Sequence, residues 1–154
     1  MRNNVKTFID AVDAETDYID ELIDAIRDQR EAISEHDTEA INDIMNDTRD
    51  IFFDAQTADN IRSDLSKRLA AEFMCEPKAS SLSGKMQEDE RIIFNGTVDR
   101  LTQSIFVLKS EMMILTGLIE QSEKYTSMML SELQRLSGDN SYDFSQSGGA
   151  DFRG

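Results

Sequence analysis

The feature that most constrains this chain is a heptad pattern of apolar residues in its second half. Between residues 101 and 136, apolar side chains recur at alternating steps of four and three, and only Ser122 and Thr126 interrupt them. Five such heptads correspond to a helix of about 50 Å at 1.5 Å per residue. A single narrow seam of this kind needs another helix against it. The apolar positions are Leu101, Ile105, Leu108, Met112, Leu115, Ile119, Met129, Leu133 and Leu136.

Length and composition favour one helical domain. The chain has 154 residues, with one proline, no tryptophan and seven glycines. It therefore lacks the regular turn signals of a sheet protein. We expect an all-α fold, an antiparallel and coiled-coil-like bundle of three long helices in residues 1–136. A flexible glycine- and serine-rich C-terminal tail should follow in residues 137–154.

The net charge excludes several classes of partner. The formal charge is −15 and the pI is about 4.3, so nucleic acid and anionic membranes would repel the chain. Residues 1–74 carry 19 acidic and 8 basic side chains, whereas residues 75–154 carry 12 and 8. The second half therefore meets a partner at lower electrostatic cost. With a single cysteine and no long apolar stretch, the chain is expected to be cytoplasmic, without stable membrane insertion.

The first half predicts two helices. Helix one should run from about Asn4 to Ser34, and residues 34–38 should separate it from helix two, with Asp37 or Thr38 as the cap. Because no proline or glycine marks this break, one continuous helix remains the alternative. Glu15 and Gln29 are polar interruptions of the first seam. Its apolar residues are Val5, Phe8, Val12, Ile19, Leu22, Ile26 and Ile33.

Helix two should continue to about Phe73, before a loop at Cys75–Gly84 that contains the only proline. Helix three is then predicted from about Lys85 to Leu136. It contains Gly96 and Gly117, each of which costs about 1 kcal/mol relative to alanine, so it should be weakest near Gly117. The positions of helix two expected to face solvent are Asp43, Asp47, Asp50, Asp54, Asp59 and Asp64.

No constellation predicts catalysis or metal binding. His36 is the only histidine and is expected at a helix boundary, so a diiron bundle site is impossible. Cys75 has no histidine near it in sequence that could act as its base. Residues 139–150 begin like a calcium loop, but Phe144 replaces the required glycine and Ala150 the closing glutamate. We expect no enzyme activity, no metal and no cofactor.

Adjacent methionine pairs widen the apolar stripe of helix three. Met112–Met113 and Met128–Met129 place neighbouring side chains about 100° apart, and further apolar residues broaden the stripe in the same way. Either helix three is central and contacts two neighbouring helices, or the stripe forms a groove for a foreign amphipathic helix. The additional broadening residues are Phe106, Leu118, Met128 and Leu130.

Several stretches resemble, in order, the FlgN-type flagellar export chaperones. Residues 29–37 contain an Arg-x-Ala-Ile run followed by a short turn and Asp37. An acidic second helix, a loop of small residues and a long third helix follow. Glu123-Lys124-Tyr125 and a leucine-containing helix end come next, and Ser141-Tyr142-Asp143 precedes glycine. The resemblance covers nearly the whole chain.

The resemblance implies a cytoplasmic chaperone domain in residues 1–136. It would bind the C-terminal helical segment of hook-associated (hook–filament junction) proteins, prevent their premature assembly and deliver them to the flagellar type III export gate. The residues expected to bind the client are Met112, Met113, Leu115, Leu118, Ile119, Tyr125, Met129 and Leu133.

The tail carries the aromatic residues Tyr142, Phe144 and Phe152, which are either incidental or part of a docking motif. We expect Tyr142 and Phe144 to contact the export gate. Two alternatives to a chaperone remain. One is a structural coiled-coil or adaptor protein that self-associates through its helical seams, and the other is an acidic regulator that mimics nucleic acid. The pattern fits a monomer or a homodimer.

Overall fold

A computed structural model of the chain describes residues 1–35, 37–118, 123–138, 146–147 and 151–153. Nearly all of these residues are helical, which confirms the prediction of an all-α fold. The two strands pair antiparallel, with Gln146 opposite Arg153. The flexibility of the tail stays a prediction. The elements are α1 (Asn3–Ser34), α2 (Thr38–Phe73), α3 (Ala79–Ser83), α4 (Glu88–Leu118), α5 (Glu123–Gly138), β1 (Gln146–Ser147) and β2 (Asp151–Arg153).

The break between the first two helices lies where the sequence predicts it. α1 ends at Ser34 and α2 begins at Thr38. The Asp37 carboxylate accepts a hydrogen bond from the Ala40 amide at 3.0 Å, so Asp37 caps α2. This bond satisfies one of the amides that a helix start leaves without an intrahelical partner. His36 lies outside the described residues, and its expected position at a helix boundary stays a prediction.

α1 is the helix around which the fold is built, because it packs against both α2 and α4. It runs antiparallel to α2, since Asn4 near its start donates a hydrogen bond to Glu72 near the end of α2 at 3.0 Å. It runs parallel to α4, since Arg2 pairs with Glu90 at the start of α4. Successive long helices therefore alternate in direction, and α1, not the third long helix, lies between the other two.

The core forms where the predicted seams of α1 and α4 meet. The Phe8 and Phe94 rings stack in this interface with their centroids 5.6 Å apart. Each large apolar side chain buried there contributes roughly 1.5–3 kcal/mol. Packing of the seams is therefore the main source of stability. The predicted seam residues that are buried are Val5, Phe8, Val12, Ile19, Leu22, Ile26, Leu101, Ile105, Leu108, Met112 and Leu115.

The prediction of one long helix over Lys85–Leu136 is wrong. α5 lies alongside α2, where the sulfur of Met128 is 3.2 Å from the Nε atom of Arg49. Leu133 and Leu136 of α5 are buried. α5 therefore adds its own apolar face to the core instead of extending the seam of α4.

The positions of Glu111 and Met128 along the bundle axis show that α4 and α5 are not one straight helix. Asp28 of α1 and Asp47 of α2 border the same cleft, so these turns lie side by side. Arg27, one residue from Asp28, pairs with Glu111 of α4 at 3.0 Å. Met128 lies beside the same part of α2 and is thus level with Glu111. A continuous helix would separate these two residues by about 25 Å along its axis.

A cluster of buried charges joins α1 to α2. The Arg62 side chain is fully buried and pairs with Glu15 of α1 and with Asp59 of α2, the latter at 2.6 Å. We call these three residues the buried triad. The prediction that Asp59 faces solvent is wrong. Arg62, three residues later, forms an ion pair with its carboxylate inside the α1–α2 interface. Glu15 and Gln29, the polar interruptions of the first seam, are also fully buried.

Arg62→Met is expected to lower the free energy of unfolding by about 3–5 kcal/mol, because it removes the cation that two buried carboxylates face. Urea denaturation followed by circular dichroism measures the loss. Arg68→Met, on the exposed side of the same helix, is the matched control and should change little. Replacing the whole triad (Glu15→Leu, Asp59→Leu, Arg62→Met) should restore most of the stability. An Arg62→Met chain as stable as the parent would contradict the role given to the triad.

Candidate functional site

A group of large apolar side chains on α4 is exposed to solvent. Among the described residues, ten large hydrophobic side chains are exposed, and six of them belong to α4. We call the four in its second half the outer cluster: Phe106, Met113, Ile114 and Leu118. The exposed fraction is 71% for Phe106 and 76% for Met113. Apolar side chains that lie exposed together mark surfaces that bind another protein.

The two sides of α4 are separated by the helical repeat. Met112 is 1% exposed in the core, whereas the next residue, Met113, faces away from α1. Consecutive residues of a helix differ in direction by about 100°, so one of two adjacent methionines is turned out of the seam. The broad apolar stripe of the sequence is therefore two surfaces, one buried against α1 and one exposed.

Polar contacts with α1 fix the rotation of α4. The Glu111 carboxylate accepts hydrogen bonds from Arg27 at 3.0 Å and from Arg30 at 2.7 Å. Nearer the middle, the Ser104 hydroxyl donates to Asp20 at 2.7 Å. Because these contacts all lie on the α1 side, the outer cluster stays on the opposite, solvent side of α4.

Arg2 joins three helices at the other end of the fold. Its Nη2 atom lies 2.7 Å from one oxygen of Glu90, and its backbone amide donates to the other oxygen at 2.9 Å. The guanidinium also lies 4.6 Å from the centroid of the Phe73 ring. Glu90 is nearly fully buried, and its hydrogen bonds from Arg2 lower its pKa from 4.5 to about 2.

The polar and titratable side chains of the described residues are mostly in ion pairs or exposed to solvent. In this part of the chain, no group of three or more His, Cys, Asp or Glu side chains is placed to hold a metal ion. Burial raises the pKa of the Cys75 thiol, which favours the unreactive protonated form. A cleft of about 370 Å³ between α1 and α4 is lined by charges of both signs, including Asp20, Arg27 and Arg100. No described helix has the length and apolar character to cross a lipid bilayer.

A protein-family model matches nearly the whole chain. The family is described as FlgN protein, and the match covers residues 1–147. The chain belongs to the FlgN family. Comparison with curated proteins and with solved structures gives no match. FlgN proteins are flagellar export chaperones, so the resemblance found in the sequence is confirmed, and a surface for protein partners is the relevant kind of site.

In the structure of this FlgN-family chain, the residues expected to bind a client do not form one surface. Two of them lie exposed in the outer cluster: Met113 and Leu118. Three are buried in the core: Met112, Leu115 and Leu133. The residue Ile119 and the side chains of Tyr125 and Met129 lie outside the described part of the chain. The buried residues support the surface from behind and cannot touch a client unless the bundle opens.

The outer cluster also contains residues that the expected client site lacks. Phe106 lies seven positions before Met113 and projects in nearly the same direction. Ile114 is turned by about 100° from Met113 and is also exposed, so it lies on a neighbouring part of the solvent side of α4. The broadening of the stripe pointed to Phe106, whereas Ile114 was missed because it continues no seam. The expected gate contacts Tyr142 and Phe144 lie outside the described residues, and their role stays a prediction.

Glu90→Gln should reduce stability at neutral pH and have a smaller effect in acid. The pKa of Glu90 is about 2 in the fold and 4.5 without its partners, so its carboxylate stabilises the fold above pH 4.5. This contribution is lost as the pH falls toward 2. Because the Arg2 side chain is half exposed, solvent screening leaves on the order of 1 kcal/mol.

Chemical denaturation at pH 7 and pH 3, on either side of the pI, tests this expectation. The difference between parent and Glu90→Gln should shrink at the lower pH. Glu88→Gln, on the exposed side of the same helix start, is the control. An equal difference at both pH values would show that the Arg2–Glu90 pair contributes no pH-dependent stability.

Proposed function

We propose that this chain is a cytoplasmic export chaperone for hook-associated (hook–filament junction) proteins. It binds their C-terminal helical segment, keeps them from assembling early and delivers them to the flagellar type III export gate. The outer cluster on the second half of α4, in a chain of the FlgN family, is the observation that supports this proposal. The function is binding, and it needs no catalytic residue and no cofactor.

The outer cluster suits an amphipathic helix as client. Phe106 and Ile114 are separated by eight residues, which is about 12 Å or two turns along the helix. A segment that polymerises outside the cell exposes an apolar stripe while it is still inside, and covering that stripe removes it from water. Met113 has a flexible side chain that adapts to different shapes. The resulting affinity is moderate, as release at the gate requires.

The distribution of charge also favours client binding at α4. Residues 1–74 carry 19 acidic and 8 basic side chains, against 12 and 8 in residues 75–154. Exposed aspartates such as Asp43 and Asp50 cover the outer side of α2. A client that approaches α4 therefore meets less negative charge than one that approaches α2.

The alternative of a coiled-coil adaptor has less support, because the seam through which two chains would pair is already buried within one chain. Leu101, Leu108 and Leu115 of that seam are each 1% exposed and pack against α1 within the same chain. Pairing two chains through this seam would require α1 and α4 to separate. The alternative of a nucleic-acid mimic explains neither the outer cluster nor the family.

Met113→Asp is expected to weaken client binding tenfold or more. Burial of such a side chain is worth roughly 1.5–3 kcal/mol, and an aspartate at this position would have to be desolvated as well. Isothermal titration with a purified hook-associated client measures the affinity.

The matched control for this substitution is Ile61→Asp, which changes an exposed apolar residue of α2. It should leave the affinity unchanged, and circular dichroism should show both variants fully helical. Unchanged affinity of a folded Met113→Asp chain would rule out the outer cluster as the client site.

Delivery to the gate is assigned to the tail. Tyr142 and Phe144 lie among serine, aspartate and glycine, and aromatic side chains are frequent anchors of short binding motifs. The tail follows α5 in sequence, so the proposed gate contacts and the outer cluster of α4 share no residue. Client binding and gate binding are therefore proposed to be independent.

Tyr142→Ala should abolish most secretion of the client and leave client affinity unchanged, because it removes the proposed anchor without touching α4. Secretion from a flagellated host and titration of purified proteins measure the two activities. Phe152→Ala, another aromatic of the same tail, is the control and should secrete normally. Normal secretion by Tyr142→Ala would refute the gate assignment and leave the client site untouched.

A further inference from the structure

A second heptad pattern runs along the side of α4 that faces away from α1. It spans residues 92–117, or about 38 Å. One set of positions carries mainly large side chains, and the alternate set carries mainly small ones. The first set is Ile92, Asp99, Phe106 and Met113, and the second is Gly96, Gln103, Ser110 and Gly117. We call these eight residues the outer seam; its three large apolar side chains are 65–76% exposed.

Two glycines of the outer seam leave open space among the described residues. Within that part of the chain, a Cβ atom at Gly117 would meet no atom within 4 Å, and one at Gly96 would meet only the Arg100 guanidinium at 3.9 Å. Each glycine weakens the helix relative to alanine, yet both lie within α4, and no described atom of α1 lies close to either one. Their absent side chains leave gaps between the large side chains of the outer seam.

We propose that the outer seam pairs two copies of this chain in an antiparallel dimer. A two-fold axis between residues 104 and 105 brings large and small positions together at every step. Met113 then lies opposite Gly96 of the second copy, and Ile92 lies opposite Gly117. Such alternation of large and small side chains lets two helices interdigitate closely. The same surface is used by both copies, as two-fold symmetry requires.

The position of Asp99 favours an antiparallel over a parallel arrangement of the two α4 helices. In this alignment Asp99 lies opposite Ser110 of the second copy and beside Lys109. In a parallel pair the Asp99 residues would face each other, which adds repulsion in a desolvated contact. Parallel alignment would also set glycine against glycine and leave voids. Asp99 is the one charged residue among the eight positions, so the acidity of the chain lies mostly outside this contact.

The proposed dimer covers much of the outer cluster, the surface proposed to bind the client. Phe106 and Met113 belong both to the outer seam and to the outer cluster. The free chain therefore shields these side chains with a second copy, and a client helix replaces that copy. Only this replacement rests on the proposed function, since pairing itself follows from α4 alone.

Sedimentation equilibrium of the full chain without client tests the pairing. The mass should rise with concentration from 17.5 kDa toward twice that value. Met113→Asp should weaken self-association tenfold or more, and Ile61→Asp on α2 should not change it. A parent chain that stays at 17.5 kDa overturns the proposal. If that chain still binds its client in the titration, the surface serves the client alone and the proposed function stands.

Disulfide trapping tests the direction of the pair. In a Cys75→Ser background, chains with Asp99→Cys and chains with Ser110→Cys are mixed in equal amounts and oxidised. The antiparallel pair predicts mixed disulfides between the two variants and few from either one alone. Predominant disulfides between two Asp99→Cys chains would indicate a parallel pair and overturn the proposed arrangement.

Discussion

The buried triad is the contact on which the arrangement of the other helices depends. Seams of similar apolar residues can slide past each other by one heptad and still match. Charged groups cannot slide in this way, because a shift would leave Glu15 and Arg62 buried apart from each other. The triad therefore admits one alignment of α1 with α2. With α1 fixed on that side, its remaining apolar face is the one on which α4 packs.

Ionic contacts near the two ends of α4 complete this alignment. Arg2 reaches Glu90 at one end, and Arg27 and Arg30 reach Glu111 toward the other. They determine the direction in which the exposed side chains of α4 project. The exposure of the outer cluster in this FlgN-family chain is therefore a consequence of the α1–α4 interface. Residues far from the outer cluster, such as Arg2 and Glu90, keep α4 in the orientation on which the proposed function depends.

Much of the fold could be predicted from the sequence, and the rest could not for identifiable reasons. The apolar repeats located the seams, and the polar segment before Thr38 located the break, because both depend on local pattern. The burial of Asp59 was missed because only its partner from another helix explains it. The separation of α4 from α5 was missed although Ser122 and Thr126 interrupt the pattern there and Gly117 weakens the helix just before it. Three residues of the expected client site, Met112, Leu115 and Leu133, are buried in the core. Periodicity predicts an apolar face, but it does not show whether a helix of the same chain already covers that face.

The parallel alignment of α1 with α4 has a consequence for the order in which the chain folds. The link between α1 and α2 is only a few residues long, so the two helices can form a hairpin by local contacts. Arg2 and Glu90 are 88 positions apart, and closing that larger loop costs more conformational entropy. During synthesis the residues of α1 and α2 leave the ribosome before those of α4. The helix that carries the exposed surface is thus added after the α1–α2 hairpin, and α5 follows it.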